Sequence, residues 1–591
     1  MPTHSHAAAT SSQPTTVTDG LNLNRHILTI SVQEYFHVGA LEGSVLPKHW
    51  SRLESRLEKT LTEILELLDR HEIQATFFML GWVAERQRKL VELIVRKGHE
   101  VASSGYSPRG PRDMVPEEFR HDLQLAREIL ESAGSNRIVG YRCPRNWFTK
   151  ESFWALDILA EEGYLYDSSI NPILRRFAGD PRRFEVHEHR HSSRDLSIHE
   201  FPISTVNVLG LRVAISGGNY IRQYPHILLS RAVAHWDQSK KTPVVFYFRP
   251  WEFDREQPRI TSLPMLSRIR HYRNLAKTRS VLEHYFRKYR FQPIGDYLGV
   301  RDGPEPARQE RPARQPLDAY TQPIEVSSAE SDGSATETKT AVSLVVPLFN
   351  EKQNIAYLKR TLLEFRKRLS GEYHVQFLLV DDGSDDGTWQ ALERTFGDLS
   401  FCQLIQHPKN RGVAAAILTG IQSSSTEIVC SIDCDCSYDP DVLEEMIPLL
   451  EDADLVTASP YHPKGQVFNV PRWRLFLSKT LSRLYSLLMR ERIRTFTSCC
   501  RVYRKSAVGG LSIRHGGFLG VAETLIRLKL NGKKVTEHPA VLESRLFGES
   551  KMKVFRTIGS HLRLLGELTL TKTEMRADFQ KASETSNKKA P

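Results

Sequence analysis

The chain alternates short apolar runs with amphipathic runs in two long stretches. A repeated strand–helix order is typical of parallel sheets, in which functional loops follow the carboxyl ends of the strands. In the first stretch the pattern predicts, in order, strand His26–Ser31, helix Arg52–Asp69, strand Gln74–Leu80, helix Val83–Lys97 and strand Glu100–Ala102. In the second it predicts strand Ala341–Pro347, helix Lys352–Leu369 and strand His374–Asp381.

The composition changes sharply between these stretches and at both ends of the chain. Residues 1–22 are rich in Ser, Thr, Ala and His, and 301–340 are rich in Pro, Arg, Glu, Ser and Thr. Such segments bury too little apolar surface to offset their chain entropy. The sequence therefore predicts a disordered tail at 1–22, an α/β domain at 23–300, a flexible linker at 301–340, a second α/β domain at 341–570 and a polar tail at 571–591.

Charge and cysteine content narrow the class of partner and the compartment. The chain of 591 residues carries 81 Lys and Arg against 70 Asp and Glu, a net charge of +11. This diffuse basic excess suits nucleotide sugars, phospholipids or acidic glycans and does not predict nucleic-acid binding. Seven cysteines, an odd number, favour a reducing compartment. We find no signal peptide and no apolar run long enough for a membrane span, so we expect a cytoplasmic protein, at most peripheral on the cytoplasmic membrane face.

Carboxylates end three apolar runs of the second stretch, namely Val342–Glu351, Phe377–Thr388 and Cys430–Pro440. If the last run continues extended, alternate residues Asp433 and Asp435 point to the same side and can hold one hard divalent cation. Such a cation can bridge a diphosphate. The pattern therefore predicts a site for a hard divalent cation and a diphosphate.

Other aspartates and the cysteines near this site have alternative interpretations. Asp385 and Asp386 are typical turn and capping residues, whereas a ligand site is the favoured interpretation for Asp381 and Asp382. Cysteines lie beside the predicted metal pair, but their spacing lacks the paired C-x2-C arms of a zinc site. That spacing disfavours a soft-metal site at Cys430, Cys434 and Cys436.

The motifs of the second stretch, in their order, resemble those of family 2 glycosyltransferases, especially the dolichyl- or polyprenyl-phosphate sugar synthases. They are VVPLFNE, VDDGSDDGT, HPKNRG followed by Ala416 and Gly420, the Asp433-x-Asp435 strand end, and RLFGESK from Arg545 to Lys551. The resemblance implies a Rossmann-like transferase fold, a nucleotide-sugar donor and a Mg²⁺ or Mn²⁺ cofactor. The donor-binding residues that it implies are Pro347, Asn350, Glu351, Asp381, Asp382, Arg411, Gly412 and Lys551.

The same resemblance assigns chemical roles to a few residues. Asp433 and Asp435 would flank the metal, and Arg545 would stabilise the leaving diphosphate, although Arg545 and Lys551 also fit a solvated basic surface. Glu523 lies where many relatives with sugar acceptors have an acidic base, and the alternative is a capping residue at a helix start. Both interpretations stay open.

The acceptor is predicted to be a polyprenyl phosphate or a growing polysaccharide. A lipid phosphate is already anionic at neutral pH and needs no general base, whereas a sugar hydroxyl needs one. The segment Leu475–Met489 is amphipathic and is flanked by arginines. Core packing is the favoured interpretation of this segment, and docking on a membrane surface is the alternative.

The first stretch resembles the polysaccharide deacetylases with NodB homology, in the subgroup associated with exopolysaccharide export. The motifs that carry the resemblance include ISVQEYFHV, ATFFMLGWVAER, GHEVASSGYSPR, GYRCPRNWF and VVFYFRPWEF. The resemblance implies a distorted (β/α) barrel. It also implies a metal-bound water that removes acetyl groups.

The residues that this chemistry requires are replaced here. Ser31 lies where the family has its Asp, Ser104 and Pro108 lie at the His-x3-His positions, and Arg249 replaces the late catalytic His. These residues cannot supply a metal, a nucleophile and a proton shuttle together. Glu34 is at best a weak ligand, and Arg142 beside Arg249 favours an anionic group. We expect a pseudoenzyme domain that binds glycan or docks the transferase; the alternatives are an active bifunctional enzyme and a non-catalytic scaffold.

Overall fold

The computed structural model describes residues 25–145, 148–172, 185–208, 211–301, 339–548, 559–561 and 563–566. It divides into two compact units. Unit 1 comprises Met1–Glu42, Ser55–Gln257 and Pro264–Gln322, and unit 2 comprises Gly43–Glu54, Pro258–Leu263 and Pro323–Pro591. The predicted tails at 1–22 and 571–591, and most of the predicted linker at 301–340, lie outside the described residues.

Unit 1 is built on a nine-stranded sheet with a separate hairpin, β8–β9. The strand order is β10-β1-β2-β3-β4-β5-β7-β6, β11 also pairs with β1, and only the β6–β7 pair of this sheet is antiparallel. The strands are β1 (His26–Val32), β2 (Thr76–Met79), β3 (Glu100–Ser103), β4 (Gly140–Tyr141), β5 (Tyr166–Asp167), β6 (His187–Arg190), β7 (Ser197–Glu200), β8 (Thr205–Val208), β9 (Leu211–Ala214), β10 (Val245–Phe248) and β11 (Phe291–Gln292). Among the described residues the order does not return from β6 to β10, so the expected barrel is an open half-barrel.

Helices of unit 1 cover this sheet with apolar faces. On α1, for example, Leu57, Leu61, Ile64, Leu65 and Leu68 are buried at helical spacing. The helices are α1 (Leu57–Arg70), α2 (Gly81–Arg86), α3 (Arg88–Arg96), α4 (Pro116–Ser132), α5 (Trp154–Glu161), α6 (Gly218–Gln223), α7 (His226–Ser239), α8 (Met265–Tyr272), α9 (Thr278–Lys288) and α10 (Ile294–Leu298).

Two helices predicted for unit 1 have different bounds in the structure. The predicted helix Val83–Lys97 is wrong as one element, because the backbone leaves helical geometry at Gln87 and separates α2 from α3. The predicted helix Arg52–Asp69 begins only at Leu57, because Arg52 ends a 3-10 helix, Pro47–Arg52, in the segment that belongs to unit 2.

Unit 2 contains a seven-stranded sheet of order β14-β13-β12-β15-β18-β16-β19 and a two-stranded sheet, β17–β20. Only β18 is antiparallel to its neighbours. The strands are β12 (Thr340–Leu348), β13 (Tyr373–Asp381), β14 (Cys402–Gln406), β15 (Ile428–Ser431), β16 (Leu455–Ser459), β17 (Gln466–Phe468), β18 (Arg501–Arg504), β19 (Val535–Pro539) and β20 (Val541–Glu543). The two largely parallel sheets confirm the α/β class predicted for both halves.

The helices of unit 2 pack on this sheet, some at very short range. On α13, a Cβ added at Gly420 would lie 2.3 Å from Val345 Cγ1, so this close approach to β12 requires glycine. The helices are α11 (Ile355–Leu369), α12 (Thr388–Phe396), α13 (Val413–Ser423), α14 (Val442–Met446), α15 (Arg472–Met489), α16 (Lys505–Val508) and α17 (Phe518–Leu530).

Candidate functional site

The topology of unit 2 collects its predicted donor-site carboxylates at one sheet edge. Strands β13, β12 and β15 are neighbours and run parallel. Glu351 follows β12, Asp381 ends β13 with Asp382 next to it, and Asp433 follows β15. Because the carboxyl ends of adjacent parallel strands meet at the same edge, residues far apart in the sequence form one cluster.

The backbone at Asp433 and Asp435 is a turn, so the extended backbone on which the same-side argument depended is not present. The Cys436 amide donates to the Asp433 carbonyl at 3.0 Å, and Cys436 has a φ of 51°. The Asp435 carboxylate accepts from the amide and the hydroxyl of Ser437, at 2.9 and 2.6 Å. The turn is thus held by its own side chains, and it brings the two carboxylates together in place of strand alternation.

Burial next to a second carboxylate makes Asp433 unusual. The pKa of Asp433 is raised to about 7, first by burial and then by the negative charge of Asp435, although a hydrogen bond from Cys499 opposes this. A buried carboxylate pair is costly without a cation. The neighbouring thiols also have raised pKa values, mainly through burial, as at Cys430 and Cys434, so they are poor thiolate ligands.

Arg545 lies against these carboxylates and neutralises part of their charge. Its Nε and Nη2 donate to Asp435 Oδ2 at 2.9 and 2.6 Å, and Nη2 also donates to Glu351 Oε1 at 3.2 Å. Burial would lower the pKa of Arg545, but Asp435 and Glu351 raise it above its ordinary value. A guanidinium in this position is also within reach of any phosphate that binds at the carboxylate pair.

The oxygen ligands at this edge fit a hard divalent cation whose coordination is completed by a bound substrate. Asp433 and Asp435 supply carboxylate oxygens, which Mg²⁺ and Mn²⁺ prefer, and Mg²⁺ commonly uses one or two carboxylates together with substrate phosphates. Across the residues that the structure describes, no group of three or more His, Cys, Asp or Glu side chains is arranged to hold a metal. A cation here would therefore need oxygens from the bound diphosphate or from water to complete its coordination.

The Asp381–Asp382 pair makes several hydrogen bonds inside the protein. Asp382 accepts from His407 Nδ1 at 2.7 Å and from the amides of Arg411 and Gly412 at 2.9 and 2.7 Å. Asp381 accepts from Gln406 Nε2 at 3.2 Å and from the Ser384 hydroxyl. These contacts favour an organising role for both carboxylates in shaping the loop before α13.

His407 belongs to one of the sequence motifs, but the sequence assigned it no role. Its Nδ1 is hydrogen-bonded to Asp382 and its Nε2 to the Thr419 hydroxyl at 3.0 Å. Both ring nitrogens are therefore engaged, and the ring fixes Asp382 against the loop at Arg411. His407 directly follows β14, the strand that pairs with β13. This position next to a strand end is the sequence signal that could have assigned it to the site.

The loop after β12 contains the remaining predicted donor-site residues. Pro347 lies near the end of β12, and Asn350 takes a left-handed φ of 56°. The Asn350 amide group donates to Asp385 Oδ1 at 2.7 Å, and Asp386 accepts from the Thr388 amide at 2.9 Å. These contacts agree with the turn and capping interpretation of Asp385 and Asp386.

A glycine turn joins this edge to α13. Gly412 has a φ of 94°, and a Cβ there would lie 2.5 Å from the Gly516 backbone, so two chain segments can touch only through glycine. Arg411 contributes its backbone amide to Asp382. The predicted phosphate-binding residue Lys551 lies outside the described residues.

Glu523, the predicted acidic base, is surrounded by hydrogen-bond donors. It accepts from the amides of Arg514 and His515 at 3.0 Å, from His515 Nδ1 at 2.9 Å and from Arg527 Nε at 2.6 Å. Burial alone would raise the pKa of Glu523, but these donors lower it below its ordinary value. The arrangement favours a structural role over that of a base, because a carboxylate with a lowered pKa is a weaker proton acceptor.

In unit 1 a buried arginine lies at the position of the replaced deacetylase metal site. Arg142 donates to the Thr29 hydroxyl at 2.7 Å, to the Ser168 hydroxyl at 2.7 Å and to Ser31 Oγ at 3.5 Å. Its guanidinium carbon lies 4.2 Å from the centre of the Phe78 ring. Burial lowers the pKa of Arg142 to about 10, so it stays charged at neutral pH and repels a metal ion next to Ser31.

The other replaced positions of unit 1 lie on a buried loop. Ser104 and Pro108 are buried, and the loop between them is held by Asp122, which accepts from the amides of Tyr106 and Ser107 at 2.8 and 3.0 Å. Burial raises the pKa of Asp122 to about 6.

Glu34 and Arg249 of unit 1 are likewise engaged in local structure. Glu34 accepts from the hydroxyl of Ser55 and from the amide of Arg56. Arg249 has its guanidinium carbon 5.5 Å from the Tyr247 ring centre, and its amide donates to Glu252 at 2.9 Å. The arrangement therefore favours the expectation that Glu34 is a structural residue and a poor ligand.

Helix α15 of unit 2 exposes the apolar side that was expected to pack in the core. Trp473, Phe476, Leu484 and Leu487 have exposed fractions of 51%, 68%, 40% and 78%, and they lie on one face of the helix. Lys479, Arg483 and Arg490 are exposed along one flank of this face. We call these four apolar and three basic residues together the α15 stripe. The core-packing interpretation is thus wrong for these residues.

The packed side of α15 carries polar groups as well as the apolar Leu481 and Met489. Ser482 and Tyr485 face the protein, and the Tyr485 hydroxyl bonds to His561 at 2.9 Å. In the part of the chain that the structure describes, no helix combines the length and the apolar character needed to cross a membrane.

Three family models match the chain in sequence order. Residues 53–164 match the model of polysaccharide deacetylases, residues 168–299 match a domain of unknown function (DUF3473), and residues 343–511 match glycosyl transferase family 2. These matches confirm both resemblances drawn from the motifs. The last match contains the edge that carries Glu351, Asp382 and Asp435, whereas Arg545 lies beyond it.

Two curated proteins are similar to unit 2 at the sequence level. A dolichol-phosphate mannosyltransferase of Pyrococcus furiosus is 29% identical over 226 residues, which is 38% of this chain and 62% of that protein. A polyprenol monophosphomannose synthase of Mycolicibacterium smegmatis is 29% identical over 255 residues, which is 41% of this chain and 90% of that protein. The match therefore spans less than two thirds of the Pyrococcus protein.

Among solved structures, a Mycobacterium smegmatis protein assigned as a polysaccharide deacetylase is similar to this chain. The identity is 20%, the TM-score is 0.33, and the match covers 52% of this chain and 99% of that one.

Proposed function

We propose that unit 2 transfers a sugar, in the first instance mannose, from a nucleoside-diphosphate donor to a polyprenyl phosphate. The observation that supports this most directly is the cluster of Glu351, Asp433, Asp435 and Arg545 at the carboxyl edge of a parallel sheet. The printed names of the two similar curated proteins suggest the sugar and the acceptor.

The chemistry follows from what each group can do. An anionic phosphate oxygen of the acceptor forms the bond to the anomeric carbon, and the bond from that carbon to the donor diphosphate breaks, with its electron pair going to the diphosphate. A divalent cation held by Asp433 and Asp435 would neutralise charge on this leaving group. Arg545, held beside Asp435, would add a positive charge next to the diphosphate. No proton has to be removed, so Glu523 keeps its structural role.

A donor panel tests this proposal. The full chain is incubated with Mn²⁺ and with UDP- or GDP-linked glucose or mannose, with and without a polyprenyl phosphate, and released nucleoside diphosphate and glycolipid are both measured. We expect release that depends on the lipid phosphate and on the metal. Turnover that requires a polysaccharide acceptor would show that the acceptor is not a lipid phosphate. No release of nucleoside diphosphate from any donor would contradict the proposal.

For unit 1 we propose a domain without deacetylase activity. The supporting observation is the charged Arg142 beside Ser31, which takes the space and the charge that a metal ion would need. We expect no acetate release from acetylated oligosaccharides by the full chain supplied with Zn²⁺ or Co²⁺. Release that disappears in Glu34→Gln would contradict this and support a bifunctional enzyme.

We further propose that the α15 stripe contacts an anionic membrane surface. Exposed Phe476 and Leu487 supply apolar area, and Lys479, Arg483 and Arg490 supply charge complementary to acidic lipid headgroups. A membrane contact would bring the site to the surface where a polyprenyl phosphate resides. The cytoplasmic location stays a prediction.

A further inference from the structure

Two short segments of unit 2 come from the first half of the sequence. The first short segment is Gly43–Glu54, which follows β1 in the chain, and the second short segment is Pro258–Leu263, which follows β10. Both make their contacts inside unit 2 next to the Asp435–Arg545 pair. Their placement is unexpected, because the family model for the transferase begins only at residue 343.

Arg52, in the first short segment, organises the chain that follows Asp435. Its side chain is 3% exposed, and its three nitrogens donate to three carboxylates: Nε to Glu364 at 2.8 Å, Nη1 to Asp439 at 3.0 Å and Nη2 to Asp441 at 2.9 Å. Without this guanidinium the three carboxylates would repel one another in a partly buried place. Arg52 thus fixes the position of the turn that ends in Asp439.

The first short segment also holds the strand that leads to Arg545. Glu543, the last residue of β20, is bound by Lys48 Nζ at 2.6 Å and by His49 Nε2 at 2.7 Å. The Glu543 amide in turn donates to the Ser437 carbonyl at 2.9 Å, and Ser437 is the residue that caps the Asp435 side chain. The contacts of this segment therefore reach Asp435 through Glu543 and Ser437, and they reach Arg545 through the backbone that follows Glu543.

The second short segment holds the chain on the other side of Arg545. The Thr261 amide donates to the Leu546 carbonyl at 2.9 Å, and the Thr261 hydroxyl donates to the Gly548 carbonyl at 2.8 Å. Arg545 therefore lies between two backbone positions that are fixed by residues remote in the sequence. A side chain fixed on both sides keeps its guanidinium oriented at lower entropic cost than one on a free loop.

We propose that Arg52 and Thr261 are positioning residues for the donor diphosphate and act through Asp435 and Arg545. The first half of the chain then contributes to the transferase unit even though its deacetylase site is replaced, because it supplies the two short segments of that unit. The identity of the ligand rests on the proposed function. The positioning of the two chain stretches around Asp435 and Arg545 does not.

The test compares buried Arg52 with half-buried Arg56 in the full chain. Arg52→Met removes the contacts in unit 2, whereas the matched control Arg56→Met removes an ion pair with Asp254, at 2.7 Å, inside unit 1. Hydrogen–deuterium exchange of residues 437–441 and 541–548, and the Kd of GDP and of UDP with Mn²⁺, are measured for each. We expect Arg52→Met to raise exchange in both stretches and to weaken binding about 10-fold, with Arg52→Lys intermediate and Arg56→Met unchanged.

A milder variant protects the test against misfolding. Thr261→Val keeps the shape of the side chain and removes the hydroxyl contacts with the Leu546 and Gly548 carbonyls, at 3.3 and 2.8 Å. It should raise exchange at 541–548 and weaken binding a few-fold. If folded Arg52→Met and Thr261→Val keep wild-type exchange and affinity, the proposal is overturned, and equal effects in Arg56→Met would overturn it too. If the wild type binds neither nucleotide, the proposed function fails, while the exchange data still decide the positioning.

Discussion

Single residues in this protein owe their chemistry to their neighbours rather than to their type. Asp433 and Glu523 are both buried carboxylates, yet the pKa of the first is raised to about 7 and that of the second is lowered. Asp433 lies beside another carboxylate, whereas Glu523 accepts hydrogen bonds from Arg514, His515 and Arg527. Asp433 therefore lies where a bound cation would stabilise its carboxylate, whereas the carboxylate of Glu523 is already stabilised by its hydrogen-bond donors.

Glu523→Gln distinguishes the structural role of this residue from a catalytic one. A glutamine loses the charge that holds the Arg514–His515 backbone, so the variant should lose about 1–3 kcal/mol of unfolding free energy. Its kcat with a lipid phosphate acceptor should change less than 10-fold, since no base is needed. A loss of the order of 100-fold or more in kcat, with stability unchanged, would make Glu523 the general base.

His99 makes unit 1 sensitive to acid. Burial lowers the pKa of His99 to about 4, so between pH 6.5 and pH 4 the unfolded chain takes up a proton that the folded chain does not. The unfolding free energy therefore falls as the pH falls, by about 3 kcal/mol over the whole window. This contribution is absent above pH 6.5, where the histidine is neutral in both states.

His99→Phe should remove this acid sensitivity while it keeps the ring packed 5.0 Å from Phe77. The unfolding free energy of the variant relative to wild type should improve by about 2 kcal/mol between pH 7 and pH 5. Exchange of the most protected amides of β2 and β3 reports this difference for unit 1. A difference that does not change with pH would show that His99 titrates normally.

At the scale of whole elements, the hydrophobic pattern predicts which segments are helices but not which face each helix buries. The helix at Arg472–Met489 is amphipathic in the sequence, yet the side packed on the protein carries Ser482 and Tyr485. On that side the Tyr485 hydroxyl is hydrogen-bonded to His561 at 2.9 Å, whereas Phe476 and Leu487 are exposed on the other. The turn at Asp433 is a similar case, since residue alternation cannot distinguish an extended strand end from a turn held by Ser437.

Leu487→Glu tests the proposed contact of the α15 stripe with a membrane. The variant places a negative charge on the most exposed residue of the stripe, so binding to phosphatidylglycerol vesicles in a flotation assay should fall at least about 10-fold. The matched control Leu228→Glu changes an exposed leucine, 58% accessible, on α7 of unit 1 and should bind like the wild type. Equal binding by all three proteins, or no preference for anionic over zwitterionic vesicles, would refute the contact.

At the scale of the whole molecule, the sequence predicts the class of both folds and the gathering of the motif carboxylates at one edge of the sheet. It does so because the motif residues lie at the ends of apolar strands, where a parallel sheet must bring them together. It could not predict that Arg52 belongs to unit 2, because its partners lie hundreds of residues away and no local pattern records them. Long-range ion pairs depend on the finished fold, and so do the division into units and the bounds of α1.

The proposed transfer depends above all on Asp433 and Asp435 binding the donor diphosphate together with a divalent cation. Calorimetric titration of GDP and UDP into the full chain, with and without Mn²⁺, measures this most directly. We predict metal-dependent binding that Asp435→Asn weakens at least about 10-fold and that Asp386→Asn, a change at a capping aspartate, leaves unaltered. Binding that is absent, independent of Mn²⁺ or unaffected by Asp435→Asn would contradict it.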